Sequence, residues 1–142
     1  MKNLFAAVGL FTLLASSGLK AQTLDVRAYI PFEFQMGNTS FPAGAYEIHT
    51  SGSVLRLNEV RGNHSAILSL TNPASRHHMT NDARVDFNRY GDSYFLSAIW
   101  TPGGTDGRIL MKTRRERQIA SRTHQPLQVA SIAVEPSQLA RP

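Results

Sequence analysis

Gly91-Asp92-Ser93 has the first claim on chemistry in this chain, because a serine hydroxyl presented at a sharp turn can act as a nucleophile. That role requires a general base within hydrogen-bond reach and a third group to orient the base. The residues around the triplet do not supply them. After Ser93 the chain alternates as a strand does, and the one downstream histidine is His124. Turn formation accounts for Gly91-Asp92 without catalysis, since glycine accepts positive φ and aspartate bonds neighbouring backbone amides. A hydrolase using Ser93 is therefore the weakest functional reading, and the expectation is of a non-enzymatic chain.

Small esterases and lipases with a Gly-Asp-Ser motif set the serine between a buried strand and a helix, inside a three-layer α/β domain. This chain departs from that pattern on both sides of Ser93, and it is too short for such a domain. The adjacent pair His77-His78 is a second candidate. Neighbours on an extended chain point to opposite faces, so the two do not chelate one ion unless a loop bends them together, with Met79 as a soft ligand for copper. His49 and His64 are isolated, and Asp82 and Asp86 show no pattern of a working carboxylate pair. No metal and no cofactor is expected.

Two surface features remain. The segment from Arg108 to Arg122 contains six basic residues and one acid, Glu116. On a short helix, Arg114, Arg115 and Arg117 would form an anion-binding patch, and the alternative is a merely solvated helix face. Aromatic residues are not interleaved with these arginines as single-stranded nucleic acid requires, so the expected partner is an acidic envelope component and not nucleic acid. Tyr90, Tyr94 and Trp100 could line a ligand groove, although large aromatics at strand spacing more often fill a core.

Composition sets the frame for these residues. Cysteine is absent from all 142 positions, which excludes a disulfide framework, a thiolate metal site and a lipid-anchored lipoprotein. Met1-Lys2-Asn3 gives a short positive start, Leu4 to Ala15 an apolar run and Ser16-Ser17-Gly18 a small-residue tail, which is the order of a secretory signal peptide. The run falls short of the roughly 20 apolar residues of a membrane-spanning helix. Residues 1–21 are read as the signal peptide, with Gly18 as a competing cleavage position, residues 22–135 as one β domain, and residues 136–142 as a frayed tail. Without Lys2 and Lys20 the 15 basic residues become 13 against 10 acidic ones, a net charge of +3. The expected protein is soluble and exported, either periplasmic or extracellular.

From Leu24 onward the apolar period is two. Leu24, Val26, Ala28 and Ile30 share a face, Phe32, Phe34 and Met36 continue the pattern after Pro31, and turns follow at Gly37-Asn38 and Pro42-Ala43-Gly44. Further strands are expected at Tyr46 to Ile48, Val54 to Val60 and His64 to Leu70, and Asn72 to Asp82 reads as the longest loop. The clearest pairing is a β-hairpin, Ala83 to Tyr90 and Ser93 to Thr101, turning at Gly91-Asp92, with Tyr94, Leu96, Ala98 and Trp100 on one face. Pro102 to Gly107 is a flexible turn, and Thr113-x-x-Glu116 opens a helix over about Arg114 to Ser121 as a capping box. Leu127 to Val134 gives the last strand.

Five phrases together resemble a family of small exported β-domain proteins abundant in acidobacteria and similar Gram-negative bacteria: Ile30-Pro31-Phe32-x-Phe34, Pro42-Ala43-Gly44-x-Tyr46-x-Ile48, Leu70-Thr71-Asn72-Pro73, Phe87-x-Arg89-Tyr90-Gly91-Asp92-x-Tyr94-Phe95-Leu96 with Ile99-Trp100, and Glu116-Arg117. The resemblance implies a signal-bearing, single-domain β protein, with no reaction, ligand or catalytic residue attached. The expected fold is an all-β, mostly antiparallel β-sandwich or open barrel of about seven or eight strands with one short helix. The leading functional expectation is a binding or structural protein of the envelope or exterior. The alternative is a carrier with a lipocalin-like cup for an apolar ligand.

Overall fold

The computed structural model describes residues 23–68, 71–76, 82–101 and 106–136; the expected signal peptide, His77, His78 and Met79 lie outside them. Among the described residues there are twelve strands and one helix. The strands are β1 (Thr23–Ile30), β2 (Phe34–Met36), β3 (Thr39–Phe41), β4 (Gly44–Ser51), β5 (Val54–Glu59), β6 (Ser65–Leu68), β7 (Thr71–Ser75), β8 (Arg84–Tyr90), β9 (Ser93–Trp100), β10 (Asp106–Leu110), β11 (Gln128–Ala133) and β12 (Glu135–Pro136). The helix α1 covers Arg114–Arg122 between β10 and β11. No described helix is long and apolar enough to cross a membrane.

Two sheets form a sandwich that does not close into a barrel. Sheet A has the order β12-β1-β4-β5-β6, and sheet B the order β11-β8-β9-β10-β7, with β2 beside β9 and β3 beside β2. Every pairing is antiparallel except the single bridge between Gln35 of β2 and Phe95 of β9, which is parallel. The expected alternation is present in β1, where Val26, Ala28 and Ile30 are buried while Arg27 and Tyr29 face solvent. β4 and β5 repeat it with Tyr46, Ile48, Leu55 and Leu57. The hairpin β8–β9 turns in two residues, with Gly91 at φ 61°, a conformation that only glycine adopts freely.

Between the sheets the space is filled by rings. Phe34 stacks on Phe41 at 5.3 Å between centroids and meets Tyr46 and Phe87 edge-on at 5.2 and 5.3 Å. All four are essentially inaccessible to solvent. Burying each such side chain contributes roughly 1.5–3 kcal/mol, which lets a chain without disulfides hold its fold.

The additional strands are short and hard to see locally. The segment read as a loop from Asn72 begins inside β7, and the segment read as a flexible turn ends inside β10; the two pair from Asp106↔Ser75 to Leu110↔Thr71. Pro73 fits because β7 is an edge strand with one side free of partners. Gly107 allows β10 to lie against β9, since a Cβ there would overlap the Trp100 ring. Glu135 and Pro136 pair with Arg27 and Val26 as β12, and the rest of the expected tail lies outside the described residues.

Candidate functional site

The hairpin β8–β9 buries residues on both of its faces, and this produces the site. Val85 and Phe87 point into the main core, while Asp86, Asn88 and Tyr90 point to the outer face of sheet B and are nonetheless buried. A bulge sets the phase of β9. Phe87 pairs with Leu96 but Asp86 with Ala98, so Ser97 has no residue opposite and donates its hydroxyl to the Asp86 carbonyl at 2.9 Å. Leu96 and Ile99 therefore face the core, and Ala98 shares the outer face with Phe95 and Trp100. The uniform face of Tyr94, Leu96, Ala98 and Trp100 is broken at that point.

Helix α1 covers this outer face. Thr113 caps it by accepting the Glu116 N–H at 3.1 Å, as the capping-box pattern requires. The Glu116 carboxylate turns into the sheet, where its Oε1 accepts from Asn88 Nδ2 at 2.8 Å and from the Tyr90 hydroxyl at 3.2 Å. Glu116 is 3% exposed, and its place in the first turn also sets a negative charge near the positive end of the helix dipole. A second carboxylate lies on the same strand face. Asp86 accepts Trp100 Nε1–H at 2.8 Å on one oxygen; on the other it accepts the Ser131 hydroxyl at 2.6 Å and meets Arg84 Nε at 3.2 Å. The Arg76 guanidinium lies 3.6 Å over the Trp100 ring, and burial lowers its pKa below the ordinary arginine value. These bonds engage both oxygens of Asp86 and Oε1 of Glu116, so the cluster anchors the helix and the ends of the sheet.

The expected site residues separate accordingly. Tyr90 is buried and bonded to Glu116, and Trp100 is held between Asp86 and Arg76. Tyr94 lies on the opposite face of the sheet, stacked on Phe32 at 3.8 Å. The three aromatics are not brought to one groove. Arg114, Arg115 and Arg117, in contrast, are all exposed on α1, with Arg122 and Lys112 exposed beside them. Arg117 also donates to the Lys112 carbonyl at 2.7 Å, and no acid is ion-paired with these side chains among the described residues.

Ser93 lines a small cleft of about 210 Å³ with Glu33, Asp92, Tyr94 and Arg115. No histidine is among its lining residues; His49 and His64 pair with Asp25 and Glu59 around sheet A. At one open end of the sandwich a cleft of about 380 Å³ lies between the sheets, walled by Leu24 and Ile99 but also by Thr50, Thr101, Asp106 and Arg108. Among the described residues no group of three histidines or acids is placed to hold a metal ion. Sequence reasoning missed Asp86, Asn88 and Glu116 as a unit. Its one available signal was the polar pair Asp86 and Asn88 at period two within an otherwise apolar hairpin.

No family model matches the chain, and neither the curated proteins nor the solved structures contain one significantly similar to it.

Proposed function

We propose that this is an exported, non-enzymatic binding or structural protein of the cell envelope or exterior, which docks on an acidic envelope component through the arginine face of α1. One observation carries the reading: the only acid of the helix, Glu116, is turned into the sheet. The helix therefore shows solvent Arg114, Arg115, Arg117 and Arg122 with no carboxylate among them. A solvated helix face ordinarily intersperses the two signs. Here the helix is pinned by its acid and presents its bases, and a pinned set of guanidinium groups suits phosphate or carboxylate recognition. The bonds that Asp86 and Glu116 make to neighbouring side chains support the non-enzymatic part of the reading, because they tie both carboxylates into the packing of the helix and the sheet.

The test is retention on immobilised heparin and on lipopolysaccharide. The wild type should be held and then released by salt, whereas Arg114→Gln, Arg115→Gln and Arg117→Gln together should remove most of the retention, at roughly 1 kcal/mol per arginine at low ionic strength. Retention of the triple variant at the wild-type level would overturn the assignment of the surface to α1. The carrier reading draws less support, since the rings of Phe34, Phe41, Tyr46 and Phe87 fill the interior and polar side chains wall much of the cleft between the sheets.

A further inference from the structure

The side of the sandwich away from α1 has a different kind of surface. We propose that the outer face of sheet A holds a second binding site, a groove built on Tyr29 that takes an acidic sugar residue of a polysaccharide. This goes beyond the docking reading and uses none of its residues. Tyr29 is 67% exposed and is the one aromatic among the exposed large hydrophobic side chains of the described residues. The same sheet buries Tyr46 completely, so the exposure of Tyr29 follows from its phase on β1. An aromatic ring lying open on a flat sheet is apolar surface that a partner can cover, with a hydroxyl at its rim to bond it.

The surroundings of the ring are shaped for one occupant. The residue opposite Tyr29 on β4 is Ala45, with Gly44 next to it, so nothing bulky stands beside the ring. On the far side Val60 and Arg61 rise from the end of β5, held by Val60 N–H to the Ala45 carbonyl at 2.9 Å and Glu59 N–H to the His64 carbonyl at 2.8 Å. These residues enclose an open groove of about 430 Å³, which also reaches Arg27 and Glu59. Two of its charges are already fixed: Arg27 by Glu47 at 2.5 Å and Glu59 by His64 at 2.6 Å. Arg61 is exposed and has no ion-pair partner among the described residues.

A pyranose ring matches these features in turn. Its C–H face stacks on the aromatic ring, with Val60 as the apolar wall. Its hydroxyls meet the Tyr29 hydroxyl and the guanidinium of Arg27, which Glu47 holds in place on the same face. The uncompensated charge of Arg61 selects a sugar that carries an acid, because a guanidinium pairs with a carboxylate through two parallel hydrogen bonds. The geometry thus assigns Tyr29 the platform, Arg27 the hydroxyls, and Arg61 the acid of a uronate-type residue.

Electrophoresis of the folded protein through native gels containing polygalacturonate or neutral dextran tests this, in the background Arg114→Gln, Arg115→Gln, Arg117→Gln so that most of the contribution of the helix is removed. The parent in this background should be retarded by polygalacturonate and not by dextran. Tyr29→Ala should weaken the interaction about tenfold and Tyr29→Phe should keep it, because the ring face carries the contact. Arg61→Gln should erase the preference for the acidic polymer. Equal retardation of the parent and Tyr29→Ala, or none of the parent, would overturn the site, and equal retardation by dextran would overturn its acid selectivity. Since Tyr29 and Arg61 are exposed, circular dichroism of each variant should match the parent, and every result then reports on binding. Failure here leaves the docking of α1 untouched, and failure of that docking leaves this groove untouched.

Discussion

Sheets A and B share one core but treat their outer faces in opposite ways. On sheet B the outer residues Asp86, Asn88 and Tyr90 are covered by α1 and by the side chains around Trp100, and each has a hydrogen-bond partner. On sheet A the corresponding positions stay in water and pair only across strands, Arg27 with Glu47 and Asp25 with His49. Polar residues at period two on a strand thus have two meanings. Without a cover they are a solvated ladder that other molecules can reach; under a helix they become anchors whose loss leaves buried groups without partners.

That difference fixes the size of several effects. The largest belongs to Glu116→Ala, which strips the acceptor from Asn88 and Tyr90 beneath the helix. A loss of roughly 2–4 kcal/mol is expected in urea denaturation, with α1 loosened; a loss below about 1 kcal/mol would show the outer face of sheet B to be as wet as that of sheet A. Next comes a polar group on the inner side of sheet A. Burial, and then the charge of Glu59, push the Tyr46 hydroxyl up to about 12 from its ordinary 10.0. The folded protein keeps that proton between pH 10 and about 12 while the unfolded chain releases it, so stability is undiminished below pH 10 and falls as pH rises through this window. Denaturation followed against pH should show this alkaline loss in the wild type and a smaller one in Tyr46→Phe. The smallest effect is expected for Arg27→Ala or Glu47→Ala on the bare face of sheet A, less than about 0.5 kcal/mol at moderate salt, because the side chains of this pair are 49% and 31% exposed. A larger cost would mean that this ladder is as structural as the covered one.

Much of the architecture follows from local pattern. β1, β4, β5 and the β8–β9 hairpin obey a period of two, Gly91 marks the turn, and Thr113 marks the start of α1. What escapes local reading depends on distant partners. β7 and β10 are strands because they pair with one another and β10 also with β9, not because Asn72 to Ser75 alternate. The bulge at Ser97 moves Trp100 to the outer face, and a change of parity of this kind leaves no trace in residue type. The exposed arginines of α1 were legible, since the helix and its spacing were. That the capping-box glutamate would turn into the sheet was not, because nothing near Glu116 names the strand on which the helix settles.

The run from β11 to β12 carries a last consequence. Ala130 and Ile132 lie opposite Phe87 and Val85 in sheet B, Val134 is buried with its N–H on the Ala83 carbonyl, and Glu135 pairs with Arg27 in sheet A. One short segment thereby completes both sheets, and it closes onto β1 from the other end of the fold. A chain that emerges in order from its amino end cannot seal the sandwich until this segment arrives. Such non-local closure puts folding on the slow side, in milliseconds to seconds.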